Sequence, residues 1–243
     1  MALTFSDHRN PSTRPEVIDL VSIIEIEPIS FVLISRVFNS KRKSQDITQP
    51  NYMQTVDRLI DKTFDAPGYN LKSELRNSLK IAMKAIYKMS NEDFNKVKCE
   101  LLEVVIYRYG PYTKSLLRDK VFMEPTIKND KELIGNQSKI DSVFYTNDRK
   151  PIEFVECKTN ITNVIPSTLP ITSLTKRDRK KIDYLKLAYD YLSDNLCSPE
   201  IYMACYNVDY DDQLENVHNN WGFKFFNFLN PEHIYNTISS GVQ

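Results

Sequence analysis

The chain has 243 residues, 41% of them hydrophobic and 26% charged, with 32 Lys+Arg against 32 Asp+Glu. That length and apolar content support a sizeable core and exclude a wholly disordered chain. Five glycines, with no G-x-G-x-x-G or G-x-x-x-x-G-K-[ST] run, exclude the Gly-rich nucleotide loops, and zero net charge excludes a uniformly basic nucleic-acid binder while leaving room for a local basic surface.

The first part of the chain reads as helical. Turn chemistry stands at Asn10-Pro11, Glu27-Pro28 and Gln49-Pro50. The apolar stretch from Val17 to Leu33 carries Asp19, Glu25, Glu27 and Pro28, too many charges and a proline for a membrane span. Tyr52, Val56, Leu59, Ile60 and Phe64 recur at helical spacing, and a second helix is expected near Leu71–Met89. Ser90 and Asn91, followed by Glu92 and Asp93, open a further helix that should stop near Gly110-Pro111.

After Gly110 the pattern changes to short β-branched and aromatic runs: Val121–Ile127, Lys139–Tyr145 and Ile152–Cys157. Residues 146–150 between the last two supply turn chemistry, so those strands should form a hairpin. Pro166 and Pro170 mark a loop, and Ser173 or Thr175 is the expected N-cap of a helix running to about Asp194. Ile201–Tyr206 and Phe223–Phe228 are the remaining expected strands, and Asn230-Pro231-Glu232 opens a short last helix. The fold class is therefore α/β. The domain reading is a mostly helical region over 1–90, for substrate choice, dimerisation or partner binding, followed by an α/β domain over 91–243.

Four cysteines (Cys99, Cys157, Cys197, Cys205) without a C-x-x-C pair point to reduced thiols, and the N-terminus has no apolar signal region; the expectation is a cytoplasmic protein. Charge is unevenly spread. Residues 200–243 hold six acids and one base, which leaves residues 1–199 net positive by five. The densest basic run is Lys176, Arg177, Arg179, Lys180, Lys181, either a solvated helix face or a nucleic-acid contact. His8, His218 and His233 fit no triad or zinc spacing, and Trp221, Phe223, Phe225, Phe226 and Phe228 read as packing rather than a base-stacking platform.

An acid-x-Lys pattern occurs at Asp148–Lys150, Asp178–Lys180 and Glu156–Lys158, and context separates the three. The first falls in a turn and the second on a basic helix, whereas Glu156 and Lys158 end an apolar strand. Residues two apart on a strand share a face, so these two point the same way and Cys157 points to the other. With the hairpin turn centred between Asp148 and Arg149, paired positions sum to 297. Asp141 then sits opposite Glu156, Val143 opposite Phe154 and Tyr145 opposite Ile152. Facing carboxylates with Cβ atoms about 4.5–5.5 Å apart repel and call for a cation. A hard divalent ion such as Mg²⁺, with Mn²⁺ as a substitute, answers that need.

Asp141 followed 15 residues later by Glu156-Cys157-Lys158 resembles the signature of the PD-(D/E)XK nuclease superfamily, the restriction-endonuclease-like fold. The element order helix, three strands, helix, strand over residues 91–206 is similar to that core, a central mixed sheet flanked by helices. Gly135 upstream of Asp141 fits, whereas Ile140 stands where the family has proline. The resemblance implies metal-dependent phosphodiester hydrolysis, with DNA as the first substrate class. Asp141, Glu156 and the Cys157 carbonyl would hold the metal, and Lys158 would orient the attacking water. A helix glutamate, Glu100 or Glu103, would join them, Glu100 fitting the family spacing slightly better. Lys181 would be a further basic group, and Lys176, Arg177, Arg179 and Lys180 would contact phosphates. The expected partners are nucleic acid and, given the neutral charge, a second copy or another subunit, with no membrane. The alternative is a nuclease-fold module that binds nucleic acid or protein without cleavage.

Overall fold

The computed structural model of the chain describes residues 3–44, 51–114, 116–129, 132–134, 139–146 and 152–241. Strand β1 (Leu3–Ser6) precedes five helices: α1 (Pro15–Ile26), α2 (Ile29–Ser40), α3 (Tyr52–Phe64), α4 (Ser73–Tyr87) and α5 (Asn91–Tyr109). Then come β2 (Lys120–Met123), β3 (Thr126–Asn129), β4 (Glu132–Leu133), β5 (Ser142–Tyr145) and β6 (Glu153–Lys158). The chain continues through α6 (Lys176–Asn195), β7 (Glu200–Cys205), α7 (Asp211–Glu215), β8 (Phe226–Leu229) and α8 (Pro231–Ser240). A five-stranded mixed sheet runs β2-β5-β6-β7-β8, antiparallel up to β6 and parallel from there, and a small antiparallel sheet runs β1-β3-β4. The molecule is thus α/β.

The period-2 alternation of the strands divides the core in two. Phe144, Val155, Ala204 and Leu229 face one way and join the buried stripes of α1 to α5 and Ile234 of α8. Val143, Phe154, Ile201, Met203, Phe226 and Phe228 face the other way, onto Ile182, Leu185, Ala188 and Leu192 of α6. Helices α1 to α4 therefore enter the same apolar core as one face of the sheet, whereas Leu3 and Phe5 of β1 pack against the other. The apolar Val17–Leu33 stretch breaks into α1 and α2 at Glu27-Pro28, and no described helix is long and apolar enough to cross a membrane.

Local chemistry sets the helix ends. The Ser90 hydroxyl accepts from Asp93 N–H at 3.1 Å, Thr175 from Asp178 N–H at 3.1 Å, and Asn230 from His233 N–H at 2.8 Å. Helix α5 stops at Gly110, whose carbonyl accepts from Arg118 Nη1 at 2.6 Å. The next loop is pinned by Glu153, a fully buried carboxylate that accepts from Tyr112 N–H (2.9 and 3.0 Å) and Thr113 N–H (2.7 Å). Burial raises its pKa to about 7, against the pull of those amides.

Among the described residues, one buried lysine forms no ion pair with a carboxylate. Lys98 of α5 is 3% exposed and lies over the rings of Phe38 and Phe94, at 5.6 and 5.1 Å. Burial lowers its pKa from 10.5 to about 8. The folded state thus gives up this proton first, and stability attributable to Lys98 rises as pH climbs from about 8 to 10.5. Lys98→Met is expected to stabilise the protein at pH 7 by about 1–2 kcal/mol, the desolvation relief less the lost cation–π attraction. Thermal melts of both proteins at pH 7 and pH 10 test this. The advantage of Met should shrink at pH 10, and a variant less stable at pH 7 would refute it.

The expected strand Val121–Ile127 is in fact two strands in different sheets. Glu124 adopts φ +49° and Pro125 follows it, so the chain leaves the large sheet after Met123 and β3 pairs instead with β1. Strand β1 itself, in a region expected to be mostly helical, finds its partner only through that long-range pairing. Two strands are shorter than expected, β5 beginning at Ser142 rather than Lys139 and β8 at Phe226 rather than Phe223, while β6 and β7 keep the expected length and shift by one residue. Gly135 and hairpin residues 147–151 lie outside the described residues.

Candidate active site

The hairpin register is the one that the turn placement predicts. Ser142 pairs with Val155, Val143 with Phe154 and Phe144 with Glu153, each pair summing to 297. The ladder stops at Ser142, and Asp141 just beyond it takes over as acceptor: its Oδ2 receives the Cys157 N–H at 2.6 Å. A strand residue directs its N–H and C=O to the same edge, so the Cys157 carbonyl opens beside Asp141 as well. Glu156 and Lys158 share the other face of β6 from Cys157, as the period of two requires.

Glu156 is 1% exposed and sits between two ammonium groups. Lys158 Nζ donates to Oε1 at 2.7 Å. Lys181 Nζ lies 3.0 Å from Oε2, an oxygen that is buried yet receives no hydrogen bond of good direction. Lys181 also donates to the Lys139 carbonyl, two residues before Asp141. Helix α6 thus aims its first turns at the site. Lys176, Arg177, Arg179 and Lys180 on the same helix end are exposed and form no ion pair among the described residues.

The field in this corner is strongly divided. Burial, and then Glu156, push Asp141 well above the usual carboxylate range, although Lys181, Lys158 and the Cys157 amide pull the other way. Burial works against the Lys158 charge, but Glu156 and Asp141 outweigh it and raise its pKa. The Cys157 thiol is pushed far up by burial and then by Asp141 and Glu103, so it is no nucleophile.

The two candidate helix glutamates take different partners. Glu100 is turned to the N-terminal segment, accepting from Ser12 Oγ and from Arg14 Nε at 3.3 Å. Glu103 is the one whose charge reaches Cys157, and it pairs with Arg9, a guanidinium that also feels Asp141. Arg9 and Glu124, which pair at 3.2 Å, belong to this corner although the sequence reading passed over both. Glu124 could have been noticed as a lone charge inside the expected Val121–Ile127 strand, whereas Arg9 carries no local signal. The histidines stand away from the carboxylates: His8 meets the Phe122 ring edge-on, and His218 Nε2 is 2.6 Å from the Phe226 carbonyl oxygen. Phe225 stacks on Tyr189 with centroids 4.0 Å apart, as packing.

A divalent cation fits the donor set at Asp141 and Glu156. Burial and Glu156 raise the Asp141 pKa even with Lys158 and Lys181 beside the pair, so a further cation would find two carboxylate donors there. Among the described residues, no three His, Cys, Asp or Glu side chains cluster as a metal cage.

No protein-family model and no curated protein matches the chain. Among solved structures, the chain is similar to protein VC1899 from Vibrio cholerae at 9% identity and a TM-score of 0.36, over 95% of this chain and 56% of that one, a likeness too low to bear on fold or function.

Proposed function

We propose that the chain is a metal-dependent nuclease with a restriction-endonuclease-like core, hydrolysing phosphodiester bonds, in the first place those of DNA. The observation that carries the reading is that Asp141 stands one register step beyond the last β5–β6 pair, where its charge and that of Glu156 act on each other, with Lys158 in contact with Glu156 at the end of a strand in a mixed sheet. The order α5, β2, β5, β6, α6, β7 supports the resemblance to the PD-(D/E)XK superfamily, with β3 and β4 as an insertion into it.

In this reading Asp141, Glu156 and the Cys157 carbonyl hold Mg²⁺, which when bound polarises a phosphoryl oxygen and acidifies its water. Lys158 holds a water beside the scissile phosphorus and stabilises the negative charge that builds on the phosphate oxygens. Lys181 fixes the Glu156 carboxylate by its ion pair at 3.0 Å and is a positioning residue. The exposed Lys176, Arg177, Arg179 and Lys180 take phosphates on either side, which makes activity fall with salt.

Purified protein is incubated with supercoiled plasmid, linear duplex, single-stranded DNA and RNA, in Mg²⁺, Mn²⁺ or EDTA. Cleavage is expected with metal and absent in EDTA. Lys158→Met is expected to lower it about 10³-fold or more while the melting temperature and Mn²⁺ affinity stay near those of the wild type. Undiminished cleavage in that variant would overturn the assignment. One observation favours a second reading: Glu156 already holds two lysine partners, as in a purely structural ion cluster. A nucleic-acid-binding module of that kind would retain duplex or single strands in a gel shift without cutting in any metal.

A further inference from the structure

A cavity of about 820 Å³ opens between the loop after α5, strand β8 and helix α8. Its aromatic wall is Tyr112 and Tyr202, which pack against the helical side of the core, so the cavity lies on the opposite face of the sheet from Glu156 and Lys158. The walls are fixed in place. The Tyr112 and Thr113 N–H groups are held by the buried Glu153, the Thr113 and Tyr202 hydroxyls are 3.4 Å apart, and α8 is docked through the buried Ile234. Four polar side chains from three elements line this space: Lys114 of the loop, Asn227 of β8, and His233 and Asn236 of α8. None of the four makes a side-chain hydrogen bond or ion pair among the described residues. No carboxylate lines the cavity; Glu200 acts on the Tyr202 hydroxyl from outside it, and the Glu153 oxygens are taken up by the loop amides.

We infer that this cavity binds a small anionic molecule with a planar ring, of the nucleoside monophosphate class, at a site separate from the carboxylate pair. Concave spaces of about 300–1,000 Å³, with apolar walls and a few convergent polar groups, are the common form of small-molecule sites. The two tyrosine rings offer a flat surface on which a base can stack. An asparagine amide carries a donor and an acceptor side by side, which is the match for a base edge, and Asn227 and Asn236 both have that pair unused. Lys114 brings an ammonium with three donors and no carboxylate against it, the charge that a phosphate seeks. The inference does not depend on the nuclease reading, because the other face of the sheet carries Glu156 and Lys158.

The test is isothermal titration of the full chain in EDTA with AMP, GMP, CMP and UMP, with the matching nucleosides, and with inorganic phosphate alone. At least one mononucleotide should bind saturably, one per chain, with its nucleoside and inorganic phosphate each weaker by about 10-fold or more. Lys114→Met should bring the nucleotide down to the level of its nucleoside, and Asn236→Ala should weaken it by about 10-fold. Both side chains lack partners, so both variants should melt with the wild type. Asp141→Asn should bind the nucleotide as the wild type does. No saturable binding of any mononucleotide at millimolar concentration would overturn the inference, as would a nucleoside or phosphate that binds as tightly as the nucleotide. An affinity unmoved by Lys114→Met or by Asn236→Ala, or one lost in Asp141→Asn, would put the ligand elsewhere and overturn it too. None of these outcomes bears on cleavage, so the nuclease reading stands or falls separately.

Discussion

Asp141→Asn is expected to abolish saturable Mn²⁺ binding and to cut cleavage by about 10³-fold or more, while making the metal-free protein more stable at neutral pH. The two effects share one cause. Asp141 is pressed by burial and by the facing Glu156, so its folded pKa stands well above its unfolded one. Between the two values the folded state holds a proton that the unfolded state has lost, so stability falls as pH rises through that window. Above it the anion destabilises the fold in full unless a cation arrives. Asn removes the charge and keeps an oxygen for the Cys157 N–H. Thermal melts in EDTA at pH 5 and pH 8 check the sign: the gain from Asn should be larger at pH 8. A variant that melts below the wild type at both values would remove the idea of a strained carboxylate pair. By the same linkage, metal affinity of the wild type should rise with pH, because binding must displace the Asp141 proton.

Gly110→Ala is expected to destabilise the protein by about 3 kcal/mol, a fall in melting temperature of roughly 10 °C. The backbone at Gly110 has φ −67° and ψ 171°, extended values that any residue adopts, so conformational strain is not the reason. Space is. A Cβ there would lie 2.3 Å from Phe144 Cζ and under 3 Å from both Cε atoms. Phe144 is fully buried in the middle of the sheet and cannot swing aside. It also stands on β5 three residues after Asp141, so a displaced ring disturbs the strand that carries the site. A calorimetric scan measures the loss, and adding Phe144→Leu should restore part of it. An alanine variant melting within about 2 °C of the wild type would show that the ring yields easily.

Much of the architecture was legible because it depends on near neighbours in sequence. Ser90 and Asn230 cap the helices they were expected to cap, and of the two candidates Ser173 and Thr175 it is Thr175 that caps α6, since an N-cap needs only an acceptor side chain and an amide three residues on. The hairpin register was legible because a short turn leaves one pairing that buries Val143 and Phe154 together, and that pairing alone puts Asp141 against Glu156. Lys158 follows from strand period, needing no tertiary information.

What the sequence alone determined, then, is the α/β order and the Asp141, Glu156, Lys158 constellation, because caps, turns and strand period act over a few residues. Tertiary structure decided the rest. It broke the expected 121–127 strand at Glu124 and gave residues 3–6 a partner 120 or more positions away. It gave Glu103 and Glu100 different partners, Arg9 and Arg14, which helical spacing cannot do, since residues three apart share a face and only the approaching N-terminal segment distinguishes them. It brought Lys181 to Glu156 and Arg9 to Glu103 and Glu124, contacts between separate elements that no local period encodes. Those charges settle the electrostatics of the site, and they converge only once burial of the two apolar faces of the sheet has drawn their elements together.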